Sequence, residues 1–415
     1  GRRGKVREPR DVEPTADGGT SVAGGPPNTL VNNPNADTAP RDTQSETSLV
    51  LGSGANIIAS FNDSGLAQAG QHFTGIARST DGGNTFTDQG ALPVTANGDA
   101  GDPVLARNNT TGTIILSTLD FNTGGTLPIF RTTDNGATYG NTPPNGAAGG
   151  GSHDKEWVTA DNFAGTGQGN FYMFWRDFGG GGGMTVTRST NDGVTWGSRQ
   201  VLDANAGQGA WVVVGADHSV YTFWLKSGPA RIVMRKSTDR GVTFSATQTV
   251  VNITSGGING DLGLTGGFRS NAFPQVVAHP TNANRLYMTW NDVGTTAGDK
   301  ADTFYTYSTD AGATWAPRTK VNSDSTTTDQ WQPVIAMTPD GTGLFISWYD
   351  RRGNGTLIDV YGTDGTICAD GSVAFVPEYR ITDTAFPVFI GLDPAVNSVY
   401  MGDYDHAVAD NTMYY

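Results

Sequence analysis

Three short stretches gather side chains that can move protons or hold a ligand. "SHDKEW" (Ser152–Trp157) sets His153, Asp154, Lys155 and Glu156 in a row. "GDYDH" (Gly402–His406) flanks Tyr404 with Asp403 and Asp405, and "WYDRR" (Trp348–Arg352) joins Asp350 to Arg351 and Arg352. Carboxylate pairs such as Asp154 with Glu156, or Asp403 with Asp405, are the equipment of glycosidic-bond hydrolysis. One carboxylic acid protonates the leaving oxygen, the other serves as base or nucleophile, and their separation decides between inversion and retention. The same residues equally cap loops by accepting amide hydrogen bonds, the commoner role for Asp in a Gly-rich chain. His beside acids could hold a metal, which requires ligands converging to about 2.0–2.6 Å. The oxygen-rich segments "NADTAPRD" (from Asn35) and "NSDSTTTD" (from Asn322) suit a structural Ca2+ better than a transition metal, although neither has EF-hand spacing. No cofactor is required. The glycine run Gly179–Gly183 lacks the Lys-Ser/Thr of a phosphate loop and reads as a pliable lip, and Cys368 reads as a packed small residue.

Composition narrows the partners. Lys and Arg number 26 against 40 Asp and Glu, a net charge of −14, which excludes a nucleic-acid binder relying on a clustered basic surface. One cysteine excludes an intrachain disulfide framework. No apolar run reaches the roughly 18–20 residues of a membrane span. A start at Gly1 rather than Met fits a removed leader, and scarce Lys and Glu fit an extracellular or cell-surface setting. Residues 1–28 are basic at first, then Pro- and Gly-rich without apolar periodicity. They read as a flexible tail, with a docking arm for an acidic partner as the alternative.

The elements that must position these residues follow from a repeat. "STDGGNTF" at Ser79 returns as "TTDNGATY" at Thr132, "STNDGVTW" at Ser189, "STDRGVTF" at Ser237 and "STDAGATW" at Ser308, with a worn copy, "GTDGT", around Asp364. Before each box runs a strand ending in an aromatic and usually an acid, as in "FYMFWRD" (to Asp177) and "RLYMTWND" (to Asp292). "VYTFWLK" departs, with Lys226 in place of the acid. A further apolar strand precedes each of these, as in "DPVLA", "AWVVV" and "WQPVIA". The unit reads strand A, strand B, strand C, box turn, strand D, which is a four-stranded antiparallel propeller blade repeated at about 40–60 residues. The fold expected is therefore an all-β propeller over 29–415. Six A strands are complete, and a seventh starts at Met401, so seven blades are preferred and six is the alternative. "TLVNNPNADTAPRD" resembles the D-strand and loop "TKVNSDSTTTDQ", which predicts that Leu30–Asn32 is the outer strand of the last blade and closes the ring.

In each box the third residue (Asp81, Asp134, Asn191, Asp239, Asp310) can accept turn amides, the glycine two on permits positive φ, and the last aromatic fills the gap between strands. Asn191 keeps the acceptor but not the acid, so the boxes build the frame. The tryptophans closing the B strands, Trp175, Trp224, Trp290 and Trp348, recur with the repeat and read as packing between blades.

The boxes resemble the Asp-box (BNR) repeats of the sialidase superfamily, over Leu30 to Tyr415. The resemblance implies boxes on C–D turns and a ligand face on the opposite side, made by B–C and D–A loops. Sialidases use three arginines to clamp a carboxylate, an Asp acid/base, and a Tyr nucleophile beside a Glu. Carried onto this sequence, that pattern selects Arg41, Arg269 and Arg351 (or Arg352) for the clamp, Asp63 for the acid, Tyr404 (or Tyr349) for the nucleophile and Glu156 (or Glu46) beside it. The family's early Phe/Tyr-Arg-Ile-Pro motif is absent, since Arg41 stands in "PRDTQSE". Relatives with boxes include binding proteins. Two functions follow: a glycan- or protein-binding module at the cell surface, and a glycoside hydrolase of the exo-sialidase type.

Overall fold

A computed structural model describes residues 12–14, 20–22, 27–69, 71–121, 125–141, 151–179, 182–205, 207–255, 260–353 and 355–415. The expected flexible tail falls largely on residues outside this set; within it, Val12–Pro14 pairs antiparallel with Thr20–Val22.

Six antiparallel sheets form the blades of a propeller. Their first strands are Gln44–Leu51, Val104–Arg107, His153–Ala160, Gly207–Val214, Gln275–Ala278 and Gln330–Met337, and each sheet pairs its strands in chain order. Helix is confined, among the described residues, to one 3-10 segment, Ser64–Ala69. No helix there is long and apolar enough to cross a membrane. The B strands read as near-continuous apolar runs because they are buried on both faces, between neighbouring blades. Trp175, Trp224, Trp290 and Trp348 are all fully buried, so they are core and not a sugar platform.

The five boxes occupy C–D turns and share one bonding scheme. In the first, Asp81 accepts from Ser79 Oγ (2.8 Å), Thr85 N (2.9 Å) and Thr85 Oγ1 (2.7 Å), while Ser79 Oγ accepts from Gly83 N (2.9 Å). These bonds hold the Asp81 carboxyl down at about 2, led by the Thr85 hydroxyl. Asn191 reproduces the scheme by accepting from Thr195 N at 2.9 Å and donating to Thr195 Oγ1 at 2.8 Å. The residue before the box glycine also has positive φ: Gly82 (75°), Asn135 (55°), Asp192 (61°), Arg240 (60°) and Ala311 (58°).

Three expectations are corrected. The blades number six, not seven: Met401–Tyr415 contributes a short hairpin, with Tyr415 N bonded to Val408 O at 2.9 Å, wedged between blades 6 and 1. Its Asp405 accepts from Thr47 Oγ1 of blade 1 (3.0 Å) and from Gln332 Nε2 (2.9 Å) and Tyr349 Oη (2.7 Å) of blade 6. Leu30–Asn32 is not a strand. The outer edge of blade 6 is already occupied by Val373–Phe375 and Tyr379–Arg380, both paired to Asp359–Ile367. The segment instead straps the ring from outside, with Asn28 N bonded to Asp383 Oδ2 (2.7 Å) and Asn33 N to Asp88 Oδ2 of blade 1 (2.7 Å). Finally, Asp364 lies within the strand Asp359–Ile367, so "GTDGT" is not a turn; the C–D turn of blade 6 falls at Cys368–Ser372, where Asp370 accepts from Ser372 N at 2.9 Å.

Candidate active site at the propeller axis

Most charges on the B–C loop face are engaged in holding blades together. Asp177 binds Arg199 and Asp292 binds Arg318, each at 2.7 Å, tying a B strand to the outer edge of its own blade. In blade 4 Lys226 replaces the acid, Thr247 stands where the arginine would be, and Lys226 pairs with Asp203 of blade 3. That exchange accounts for the odd "VYTFWLK".

The arginines chosen from the sequence each meet a carboxylate, with one exception. Arg269 is held by both oxygens of Asp403 (3.1 and 2.6 Å), and Arg351 by Asp329 (3.0 Å). Arg352 binds Asp350 (2.6 Å) and Glu378. Arg41 forms no ion pair among the described residues; its amide bonds Thr38 O. Asp63 is buried at the end of Ile57–Asp63, where desolvation and then Asp37 push its carboxyl up to about 6. The Tyr404 hydroxyl donates to Pro103 O at 3.2 Å, and that of Tyr349 to Asp405. Glu156 is fully buried, which pushes its carboxyl well above the ordinary range. Of the six, Arg269, Tyr404 and Glu156 lie around the propeller axis.

What organises the axis is a bulge at the start of the inner strands. Pairing slips between Ser45 and Ser48, between Asp154 and Trp157, between Gln208 and Trp211, and between Trp331 and Val334. In each slip one residue takes positive φ: Glu46 (54°), Lys155 (51°), Gly209 (71°) and Gln332 (51°), with Asp102 (54°) at the matching place in blade 2. Among them only Gly209 is a glycine. A non-glycine residue held in this region costs about 1–3 kcal/mol, and such strain gathers at functional sites. At the corresponding place in blade 5, the Phe273 ring lies 2.3 Å from where a Gly209 Cβ would stand, so Gly209 is obligatory there.

The bulges converge. The carboxyl groups of Glu46 and Asp102 lie within interaction range of each other, and Tyr400 neighbours Glu46. Glu46 also accepts from Asn62 Nδ2 (2.9 Å) and Asp403 N (3.0 Å). Burial pushes Asp102 well above the ordinary carboxylate range, and the Glu46 charge adds to the effect; burial raises Glu46 as well. Neighbouring carboxyl groups in a dry site resist ionising together. Beside them is Lys155, 2 % exposed, whose backbone N donates to Asp102 at 3.2 Å. Its Nζ has no hydrogen-bond partner among the described residues and lies over the rings of Tyr404 (3.8 Å), Trp157 (4.7 Å) and Trp211 (5.8 Å). Burial lowers this ammonium below its ordinary value, opposed by Glu46, Asp102, Glu156 and Asp403. Asp154, on the rim, is oriented by Gln208 Nε2 at 2.7 Å and raised by burial and then by Asp403.

A sizeable cavity lies elsewhere. A channel of about 530 Å³ enters from the box face, lined by inner strands of all six blades, and stops at Trp157, Trp211 and His406. Its walls are mostly aliphatic and carry no convergent acids, so it lacks the means for proton transfer. No group of three or more His, Cys, Asp or Glu among the described residues is arranged to hold a metal ion.

No protein-family model matches the chain, and no curated protein matches it. Solved structures do. A polysaccharide lyase described as an ulvan lyase aligns with a TM-score of 0.50 at 10% identity, covering 86% of each chain. A Dyadobacter fermentans protein of unknown function gives 0.49 at 16% identity, over 78% of this chain and 93% of its own. A Hadza microbial sialidase gives 0.47 at 16% identity, over 74% and 63%. At these identities the likeness is one of fold alone, a β-propeller.

The sequence drew attention to Glu46, Asp102 and Lys155 as loop charges but not as one site. A signal was present in the aligned A-strand starts "SETSLVL", "GDPVLAR" and "DKEWVTA", where the three occupy one column.

Proposed function

We propose that the axis site cleaves a glycosidic linkage in a polysaccharide by proton transfer. The observation behind this is the buried Glu46–Asp102 carboxyl pair, held at two positive-φ positions next to a buried cation. The two act together as one acid that holds its proton more tightly than an ordinary carboxyl and delivers it to the leaving oxygen. Asp154 on the rim serves as the partner base, and Arg269 with Asp403 and Tyr400 shape the wall of the site. A three-arginine clamp is not part of this reading, because Arg269 and Arg351 already hold carboxylates. The five turns act as Asp boxes, and a polysaccharide substrate sets the protein outside the cell or on its surface.

A binding role without catalysis is the second reading, favoured by two exposed aromatics on the same face, Phe121 and Phe178. Release of reducing or unsaturated ends from a panel of neutral and acidic polysaccharides separates the two. Glu46→Gln and Asp102→Asn should each lower cleavage by about 10²–10⁴-fold with the fold intact. No cleavage by the unaltered protein, or equal rates in the variants, overturns the catalytic reading.

A further inference from the structure

The B–C loops of blades 2 and 3 repeat a device absent from the other four. Immediately after the strand-end acid, Asp120 and Asp177, each exposes a phenylalanine: Phe121 is 46% exposed and Phe178 is 55%. The matching residues elsewhere are Ser64, Ser227, Val293 and Arg351, none aromatic, with Ser64 and Arg351 buried. A single exposed phenylalanine needs no explanation, but two at equivalent places in adjacent blades form a pattern.

Both lie close to the axis carboxyls. Asp154 is the register partner of Arg176 and His153 that of Asp177, and Phe178 N bonds Ser152 O at 2.7 Å, so Phe178 is two register steps outward from Asp154. In blade 2, Leu119 N bonds Gly101 O (2.9 Å) beside Asp102, and Phe121 N bonds Asn97 O (3.2 Å). The Phe178 ring is backed by the Arg176 guanidinium at 4.7 Å, which also donates to Asn205 O at 2.9 Å. A ring braced on one side by a planar cation presents its other face as a flat apolar surface.

Charge decides what that surface can take. Five carboxyl groups (Glu46, Asp102, Asp154, Glu156, Asp403) surround the two axis cations, Lys155 and Arg269, and Arg269 is already bidentate to Asp403. The whole chain carries −14. Neither axis cation is free for a uronate or sialate, since Arg269 holds Asp403 and Lys155 is buried, and the net negative charge of the chain disfavours an anionic sugar. An uncharged pyranose or furanose needs no cation, and its C–H face matches an aromatic ring.

We infer that Phe121 and Phe178 are two sugar-stacking platforms of a groove leading to Asp102 and Asp154, and that it binds a neutral glycan. The direction toward a scissile bond rests on the cleavage reading above; the binding does not. The test is affinity electrophoresis of the full chain in gels containing an arabinan, a galactan, a xylan or a glucan, against polygalacturonate and a sialylated glycan. Retardation by at least one neutral polysaccharide and by neither acidic one is expected. Phe121→Ala and Phe178→Ala should each weaken it at least tenfold, while Phe178→Tyr retains it. Retardation by an acidic glycan alone, no retardation at all, or alanine variants that bind like the parent overturns the inference. Binding without cleavage would remove the catalytic reading and leave the platforms standing, whereas cleavage with KM unchanged in the Phe121→Ala/Phe178→Ala double variant would do the reverse.

Discussion

Lys155 Nζ lies 3.8 Å from the centre of the Tyr404 ring, buried, with no hydrogen-bond acceptor in reach among the described residues. The cation is held by aromatic faces and by the field of carboxylates it does not touch. Lys155→Met removes a desolvated charge but leaves Glu46, Asp102 and Glu156 uncompensated. Their folded pKa values are already raised, so they favour the folded state at low pH and lose that contribution as pH rises. The variant should match or exceed the parent below about pH 5 and lose about 3 kcal/mol by pH 8. Chemical denaturation at the two pH values checks this; equal losses at both would remove the electrostatic role.

Asp63 is a simpler case of the same sign. Its carboxyl is pushed from 3.8 up to about 6, so ionisation near neutral pH works against the fold. Asp63→Asn keeps an acceptor for Gly65 N, now 2.9 Å from Oδ1, and cannot ionise. It should stabilise the protein by roughly 2 kcal/mol at pH 7 and flatten the stability profile between about pH 4 and pH 6. A variant less stable than the parent at pH 7 would contradict this.

Asp405 joins the hairpin Met401–Tyr415 to blades 1 and 6. Asp405→Ala strands the donors of Thr47, Gln332 and Tyr349. A loss of about 3–5 kcal/mol is expected, against far less for Asp405→Asn, which keeps an acceptor. Urea midpoints with an unchanged slope would report it.

The box turns offer a backbone test. Ala311 holds φ at 58° where the first box has Gly82. Ala311→Gly should gain about 0.5–1 kcal/mol, and Gly312→Ala should lose more, because its Cβ would fall 2.7 Å from Met234 Cε as well as being strained. Thermal midpoints of the pair decide it.

Why some of this was readable and some not has physical reasons. The boxes and the B-strand tryptophans repeat because every blade needs the same turn and the same wedge, so spacing reveals them. The likeness of "TLVNNPNADTAPRD" to "TKVNSDSTTTDQ" concerns how a loop caps itself and carries no information on which edge is vacant, so Leu30–Asn32 was misplaced. Likewise the Met401 segment has the alternation of an inner strand, but a blade needs three further strands against it. The axis was hidden for another cause. Glu46, Asp102, Lys155 and Gln332 have no intrinsic taste for positive φ; the slip in pairing imposes it, and pairing is not local in sequence.

The inner-strand bulge makes the axis a set of sockets. Five of the six blades present one residue toward the axis through a backbone shape that its neighbours maintain, so the occupant can change without redesign of the frame. Glutamate, aspartate, lysine, glycine and glutamine already fill five such positions in this one chain. A propeller so built can be rewritten from hydrolysis to recognition one amino acid per blade, which is a route by which a single architecture diversifies its chemistry while its folding stays the same.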